Sequence, residues 1–309
     1  MSSENVIAVV GATGAQGRGL VRAILENPEA GFRARAITRN PASQAARSLA
    51  SAGVEVVRAN VDDEASLTAA LHGAHGVFFA TLFWRHLWAE REVVQSRTMA
   101  TAARSANVRH MIWSTREEVR DADARRLTTD RPHAREADRC YADVDVPTTT
   151  LYTSFVWEHF ITAGIGPKLG PLGELRLTLP VGDARLPGIS CDDIGRAALG
   201  IFQDGSRWIG QTVGVAGEHL TGGEMAASLS RALSRTVRYH PIAPEHYRAL
   251  GIPGAGHLGN MYQFTPEGDD AFCARRCVSV TRSLNPALQS FDMWLLMNAS
   301  RIPVGVVVF

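Results

Sequence analysis

The chain has 309 residues, 45% of them hydrophobic and 20% charged, the profile of a soluble globular protein rather than a disordered one. Lys and Arg together number 32 against 31 Asp and Glu, so no excess charge draws the chain to nucleic acid or to an anionic membrane. No apolar run approaches the length of a membrane span, and Met1-Ser-Ser-Glu-Asn5 carries no basic, cleavable leader, so the expected compartment is the cytoplasm.

The apolar, β-branched run Val6–Val10 is predicted as a first strand. It ends at Gly11, and Gly14 and Gly17 follow at three-residue spacing. Leu20, Val21, Ile24 and Leu25 then recur with helical period. The pattern is strand, tight glycine turn, helix. Gly11 lets the chain reverse off the strand, and Gly14 has no Cβ to keep the backbone away from a diphosphate. Gly17 lets the helix pack close to the sheet with its N–H groups facing the anion. The spacing is G-x-x-G-x-x-G rather than G-x-G-x-x-G, so the surrounding elements must give the motif its meaning.

They do so in order. Phe32–Thr38 alternates as a second strand, Pro41 to Ala52 is a helical crossover, and Val54–Val57 is a third strand. Asp62-Asp63 caps a helix through Leu67 and Leu71. Gly76–Ala80 is a fourth strand, Glu90 to Ala106 a long helix, Arg109–Ser114 a fifth strand and Thr148–Tyr152 a sixth. This alternation predicts an α/β fold, a Rossmann-type doubly wound parallel sheet. Dense glycine and proline from Gly164 to Gly173 mark a loop and a change of domain. Beyond it come a strand at Leu175–Leu179 and a helix from Asp192. A capping box, Thr221-Gly-Gly-Glu224, opens a further helix reaching Leu233, and Thr236–Ile242 is a further short strand. The expected organisation is a nucleotide-binding domain over 1–153, to which later elements can return, and a smaller mixed α+β domain over 154–309. The apolar tail Val304–Phe309 must pair or pack, since exposed it would aggregate.

Several residues carry chemistry by position. Arg39, just past the second strand, stands where an acid would bind the ribose hydroxyl of NAD, and its guanidinium favours the 2′-phosphate of NADP. Asp62 is a candidate acceptor for the adenine amino group or a helix cap. Thr81 and Ser114 follow the fourth and fifth strands, at the carboxyl edge where open parallel sheets bind ligands. The four cysteines are scattered. Cys273 and Cys277, four apart, would share a helix face but match neither a redox pair nor a zinc knuckle, so no metal is expected. Lys168 is the single lysine.

Val9-Val-Gly-Ala-Thr-Gly-Ala-Gln-Gly17, Ile37-Thr-Arg-Asn-Pro41, Asp62-Asp63, Pro180-Val-Gly-Asp183, Asp193-Ile-Gly195 and Leu284-Asn-Pro286 together resemble the NmrA-like family of atypical short-chain dehydrogenases/reductases. The resemblance runs from about Val6 to Trp294. It implies an NADP(H)-binding Rossmann domain, with NAD(H) the alternative, and a smaller domain completing a cleft. Gly11, Thr13, Gly14, Ala15, Gln16, Gly17, Arg39 and Thr81 would line the cofactor, and Phe155, Trp157 and Glu158 would lie near the nicotinamide. The superfamily's usual reductase chemistry uses a tyrosine with a lysine four residues later. That pair does not exist here, because four residues before Lys168 stands Gly164. Family members that keep only the lysine have it where this chain has Ala134.

Two repairs present themselves. His133 or Arg135 could replace the charge, with Ser114, Tyr141, Tyr152 or a water supplying the proton. Alternatively the substrate carries its own phenol beside the carbonyl, and orientation supplies much of the rate. Phe83, Trp84 and Trp88 follow the fourth strand, with the two tryptophans predicted on one helix face. With Phe155, Trp157 and Phe160 they form an aromatic ligand edge, core packing being the alternative. The loop Gly251–Gly259 is a candidate lid bearing His257. The expected function is NADP(H)-dependent reduction of a ketone or quinone in an aromatic or polycyclic small molecule, such as antibiotic or other secondary-metabolite tailoring. The alternatives are a non-catalytic NADP(H) sensor with a protein partner, and a Rossmann-fold enzyme of oxygenation or isomerisation.

Overall fold

The structure is a computed structural model and describes residues 5–80, 88–115, 134–170, 172–250, 255–263 and 269–305. They form two compact units. Of the described residues the first takes 5–80, 88–115, 134–152 and 191–213. Its elements run β1 (Asn5–Val10), α1 (Ala15–Glu26), β2 (Phe32–Thr38), α2 (Gln44–Ser51), β3 (Glu55–Arg58), α3 (Glu64–Leu71), β4 (Gly76–Ala80), α4 (Ala89–Ser105), β5 (His110–Thr115), α5 (Ala134–Ala142), β6 (Thr148–Tyr152) and α6 (Cys191–Gln203). The strand Thr212–Gly214 then joins the sheet, whose order is Thr212–Gly214, β6, β5, β4, β1, β2, β3. The pairings among β1 to β6 are parallel. The chain reverses its winding between β1 and β4, which is where such sheets open a ligand crevice.

Both faces of this sheet are covered at its centre, which is why β1 and β4 read as apolar runs. Val6, Ala8 and Val10 of β1 share one buried cluster with Leu67 and Leu71 of α3, Met99 of α4, Trp113 of β5 and Tyr141 of α5. Ile7 and Val9 point the other way and are fully buried. On that second face α1 and α6 touch at the backbone. A Cβ at Gly19 would overlap the Cys191 carbonyl, and one at Gly195 would overlap the Gly19–Leu20 peptide. Ion pairs Arg22–Asp192 at 2.5 Å and Arg196–Glu26 at 3.3 Å flank the crossing. Further along α6, Phe202 comes up to Gly76 and meets the edge of the His110 ring.

The second unit, in its described residues, takes 153–170, 172–190, 214–250, 255–263 and 269–305. It holds two three-stranded sheets, Glu218–Leu220 with Leu186–Ile189 and Phe155–Val156, and Val237–Pro241 with Leu175–Leu179 and Lys168–Leu169. The capping box at Thr221 and Glu224 is present and opens the helix Gly222–Leu233. Helices Pro244–Arg248, Ala255–Gln263, Asp269–Ala274, Val278–Leu284 and Phe291–Asn298 follow.

Three expectations are corrected here. Residues 255–259 of the candidate lid lie in a helix, with Leu258 and Gly259 buried; residues 251–254 are outside the described residues. Cys273 and Cys277 do not share a helix, since the first helix ends at Ala274 and Cys277 precedes the next. Trp88 stands in extended conformation ahead of α4, so it is not on a helix face. Of the tail, residues 306–309 lie outside the described residues.

His110 carries a measurable pH dependence. Thr149 Oγ1 donates to the Trp208 carbonyl at 2.8 Å, so it accepts from His110 Nε2 at 2.8 Å. Burial, then the charge of His75, pushes His110 down from 6.5 to about 4. The unfolded chain therefore binds the extra proton first. The stability that depends on neutral His110 is complete above pH 6.5 and is lost as pH falls toward 4, by at most about 3 kcal/mol. Urea midpoints at pH 7.5 and pH 5 should differ accordingly, and His110→Gln should flatten the difference.

Candidate dinucleotide site

The turn after β1 has the geometry its glycines suggest. Gly11 adopts φ +75°, a conformation side chains disfavour. The Gly14 N–H donates to the Gly11 carbonyl at 2.8 Å. A Cβ on Gly17 would lie 2.5 Å from that same carbonyl oxygen. Gly14 is the residue before α1, and it offers no side chain to cap the helix. The first turn contains no acid. Gly14 and Ala15 are exposed, while Gly11, Thr13 and Gln16 are half-buried. Amides at a positive helix end, without a carboxylate or capping oxygen, are an anion site. The Arg18 guanidinium donates to the Thr13 carbonyl at 3.0 Å and steadies the turn from outside.

This turn is tied to the carboxyl edge of the sheet. Ser114 lies beside Ala80 of β4 and Leu151 of β6 in register. It is buried, and its hydroxyl donates to Gln16 Oε1 at 2.7 Å. The Ser114 proton is thus engaged in holding the first turn of α1. Tyr152 ends β6 opposite Thr115 and is half-buried. Tyr141 lies under the sheet, stacked on Trp113 at 4.2 Å between centroids, and its burial pushes the phenol well up.

On the other side of β1, Arg39 leaves β2 exposed, next to an Asx turn in which Asn40 Oδ1 accepts from the Ala42 N–H at 3.1 Å. The cap of α3 is Asp63, which accepts from Ser66 N at 3.2 Å. Asp62 is not a cap. Its Oδ1 accepts from Gln95 Nε2 at 2.7 Å and its Oδ2 from Arg91 Nη2 at 2.9 Å. Burial pushes this carboxyl up, but the bonds from Gln95 and Arg91 and the charges of Arg91 and Arg39 outweigh it and hold the group below its ordinary value. Both oxygens have partners from α4 already. Arg91 and Gln95 escaped sequence analysis; their i,i+4 spacing on α4 is the one signal they give.

In the second unit Phe155, Trp157 and Phe160 are all buried. Phe160 packs on Phe155 and Phe291, and Trp157 fills the space beside Gly188 against Phe291 and Trp294. These rings are core, which corrects the expectation that Phe160 lines a ligand edge. Glu158 Oε1 accepts from Trp294 Nε1 at 3.2 Å. Lys168 is half-buried, and burial pushes its amine down. Thr81, Phe83, Trp84 and His133 lie outside the described residues, as do the side chains of Arg135 in α5 and His257 in Ala255–Gln263. Trp88 is 57% exposed. Among the described residues no helix is long and apolar enough to cross a membrane, and no cluster of His, Cys, Asp and Glu could hold a metal.

The model of the NmrA-like family matches residues 3–295. An NmrA-like family domain-containing oxidoreductase, FrzB of Cladobotryum sp, is 30% identical over 282 residues, covering 84% of this chain and 83% of that protein. Among solved structures, NmrA, a negative transcriptional regulator, superposes with a TM-score of 0.77 at 22% identity, covering 95% of each chain. The Citrobacter sp. triphenylmethane reductase complexed with NADP(H) gives 0.76 at 21% identity, covering 95% of this chain and 99% of that one.

The close seat of Gly17 makes a direct test. Gly17→Ala should push the Gly11 peptide outward, cost roughly 1–3 kcal/mol of stability, and weaken dinucleotide binding more than proportionately. Urea unfolding and a cofactor titration on the same sample would separate the two effects.

Proposed function

This chain belongs to the NmrA-like family, and from that premise we propose that it is an oxidoreductase using NADP(H), in preference to NAD(H), to reduce a ketone or quinone of an aromatic or polycyclic small molecule. The observation that carries the reading is the open first turn of α1, where Gly14 and Ala15 are exposed with no side-chain cap and no acid. A Cβ at Gly14 would come 3.1 Å from the Gly11 carbonyl oxygen, a close approach that glycine avoids. A diphosphate fits this chemistry. NADPH, when bound, supplies a hydride to an electron-poor carbon. The names of FrzB as an oxidoreductase and of the Citrobacter protein as an NADP(H)-complexed reductase support the same class.

The residues of this chain divide the work as follows. The turn amides take the diphosphate, and the exposed Arg39 guanidinium takes the 2′-phosphate by charge-assisted hydrogen bonds. Ser114 positions Gln16 instead of donating a proton, because its hydroxyl is already directed there. With no tyrosine four residues before a lysine, the carbonyl oxygen receives its proton from a phenol on the substrate itself or from Tyr152. His133 and Arg135 are the cationic residues assigned to stabilise the developing charge. Such a site favours hydroxyquinones and hydroxylated polycyclic ketones, which polarise their own carbonyl.

The missing tyrosine–lysine pair also favours a second reading, an NADP(H) sensor that binds a protein partner. The two separate in a turnover assay. NADPH oxidation is expected with hydroxyquinones and falls by at least about tenfold when the phenol beside the carbonyl is methylated. Tight NADPH binding with no turnover across that panel, and with partner affinity that changes on NADPH addition, supports the sensor instead. Arg39→Asp should move cofactor preference toward NADH by about tenfold or more; unchanged preference would remove Arg39 from the phosphate site.

A further inference from the structure

The exits of β2 and β3 are adjacent. Thr38 lies beside Arg58 in register, and the Ala59 N–H donates to the Thr38 carbonyl at 3.1 Å. Arg39 and Asp62 therefore leave neighbouring strands at the same edge, and Arg39 is close enough for its charge to act on the Asp62 carboxyl. A free carboxylate there would harm recognition of a 2′-phosphate in two ways. It would capture the Arg39 guanidinium, and it would repel the phosphate. Neither is left to happen. Arg91 and Gln95, one turn apart on α4, take one Asp62 oxygen each, at 2.9 and 2.7 Å. Arg39 makes no ion pair among the described residues.

We infer that Arg91 is a specificity-determining residue: by pairing with Asp62 it keeps Arg39 available to a 2′-phosphate and cancels the repulsion the carboxylate would exert on that phosphate. Arginine suits the task because it stays charged at every working pH, and Asp62 is held ionised. Gln95 holds the second oxygen without adding charge, so it fixes the orientation of the pair. The inference rests on the reading that Arg39 meets the 2′-phosphate, and it adds a residue 52 positions later that acts only through Asp62.

The test is a set of fluorescence titrations with NADPH and with NADH. Wild type, Arg39→Ala, Arg91→Gln, Asp62→Asn and the double variant Arg91→Gln/Asp62→Asn are compared. Arg91→Gln keeps a hydrogen-bond donor for Asp62 while removing the charge, so packing is preserved. It should weaken NADPH by about tenfold and change NADH by less than about twofold. Removing the carboxylate as well should restore NADPH to within about twofold of wild type. Equal weakening of both cofactors would make Arg91 a merely structural residue and overturn the inference. A double variant that stays weak for NADPH would show Arg91 touching the phosphate itself, which overturns it too. Arg39→Ala separates the two levels: if it leaves NADPH affinity unchanged, the underlying cofactor reading fails. If Arg39→Ala weakens NADPH but Arg91→Gln does not, only the role of Arg91 fails.

Discussion

Helix α1 is gripped at the backbone from two sides, and the candidate site depends on that grip. On one side the Gly11 carbonyl occupies the space a Cβ on Gly17 would need, and two residues on, on the other side, α6 occupies the space a Cβ on Gly19 would need. Neither contact tolerates even a methyl group without a shift of main chain. These contacts fix where the helix sits. Its uncapped amides lie at the carboxyl edge of the sheet, and the Ser114–Gln16 bond ties its first turn to β5. Pre-organisation of this kind lowers the entropy lost when an anion binds.

Much of the fold can be read from the chain because its signals are local. Strand β4 falls on the apolar run Gly76–Ala80, and strand β6 on the β-branched run Thr148–Tyr152. The capping box at Thr221 and Glu224 is a four-residue signal and stands as expected. What escapes is non-local. The aromatic cluster around Phe291 and Trp294 draws Trp157 and Phe160 from more than 130 residues away, and nothing in the local pattern distinguishes a core ring from a ligand-facing one. Asp62 looks like half of a helix cap until α4 supplies two partners. The described helices between Pro244 and Asn298 are short, each too brief for apolar periodicity to show.

The same contrast separates what the fold offers from what the chemistry requires. A nucleotide cradle is built from backbone amides and glycines, so it survives changes in nearly every side chain. Reduction needs in addition a source of a proton, and that is a side-chain property. Ser114 has its hydroxyl committed, Tyr141 is buried under the sheet, and the single lysine sits in the second unit. A family that contains proteins named as oxidoreductases and shares its fold with a transcriptional regulator is thus physically coherent. A common scaffold does not by itself fix the chemistry.

The return of residues 191–213 to the first unit has a consequence for how the protein is made. Synthesis delivers β1 to β6 by Tyr152, yet the helix that covers Gly19 and the strand that completes the sheet edge emerge only after residues 153–190 have been added. Until then the flank of α1 at Gly19 lacks the helix that packs on it. The nucleotide unit is consequently not a detachable N-terminal module, and a gene cut after Tyr152 would encode a sheet with one face half open. Exchange of the second unit between relatives has to treat 153–190 as an internal insert, leaving 191–213 with the glycine helix it packs against.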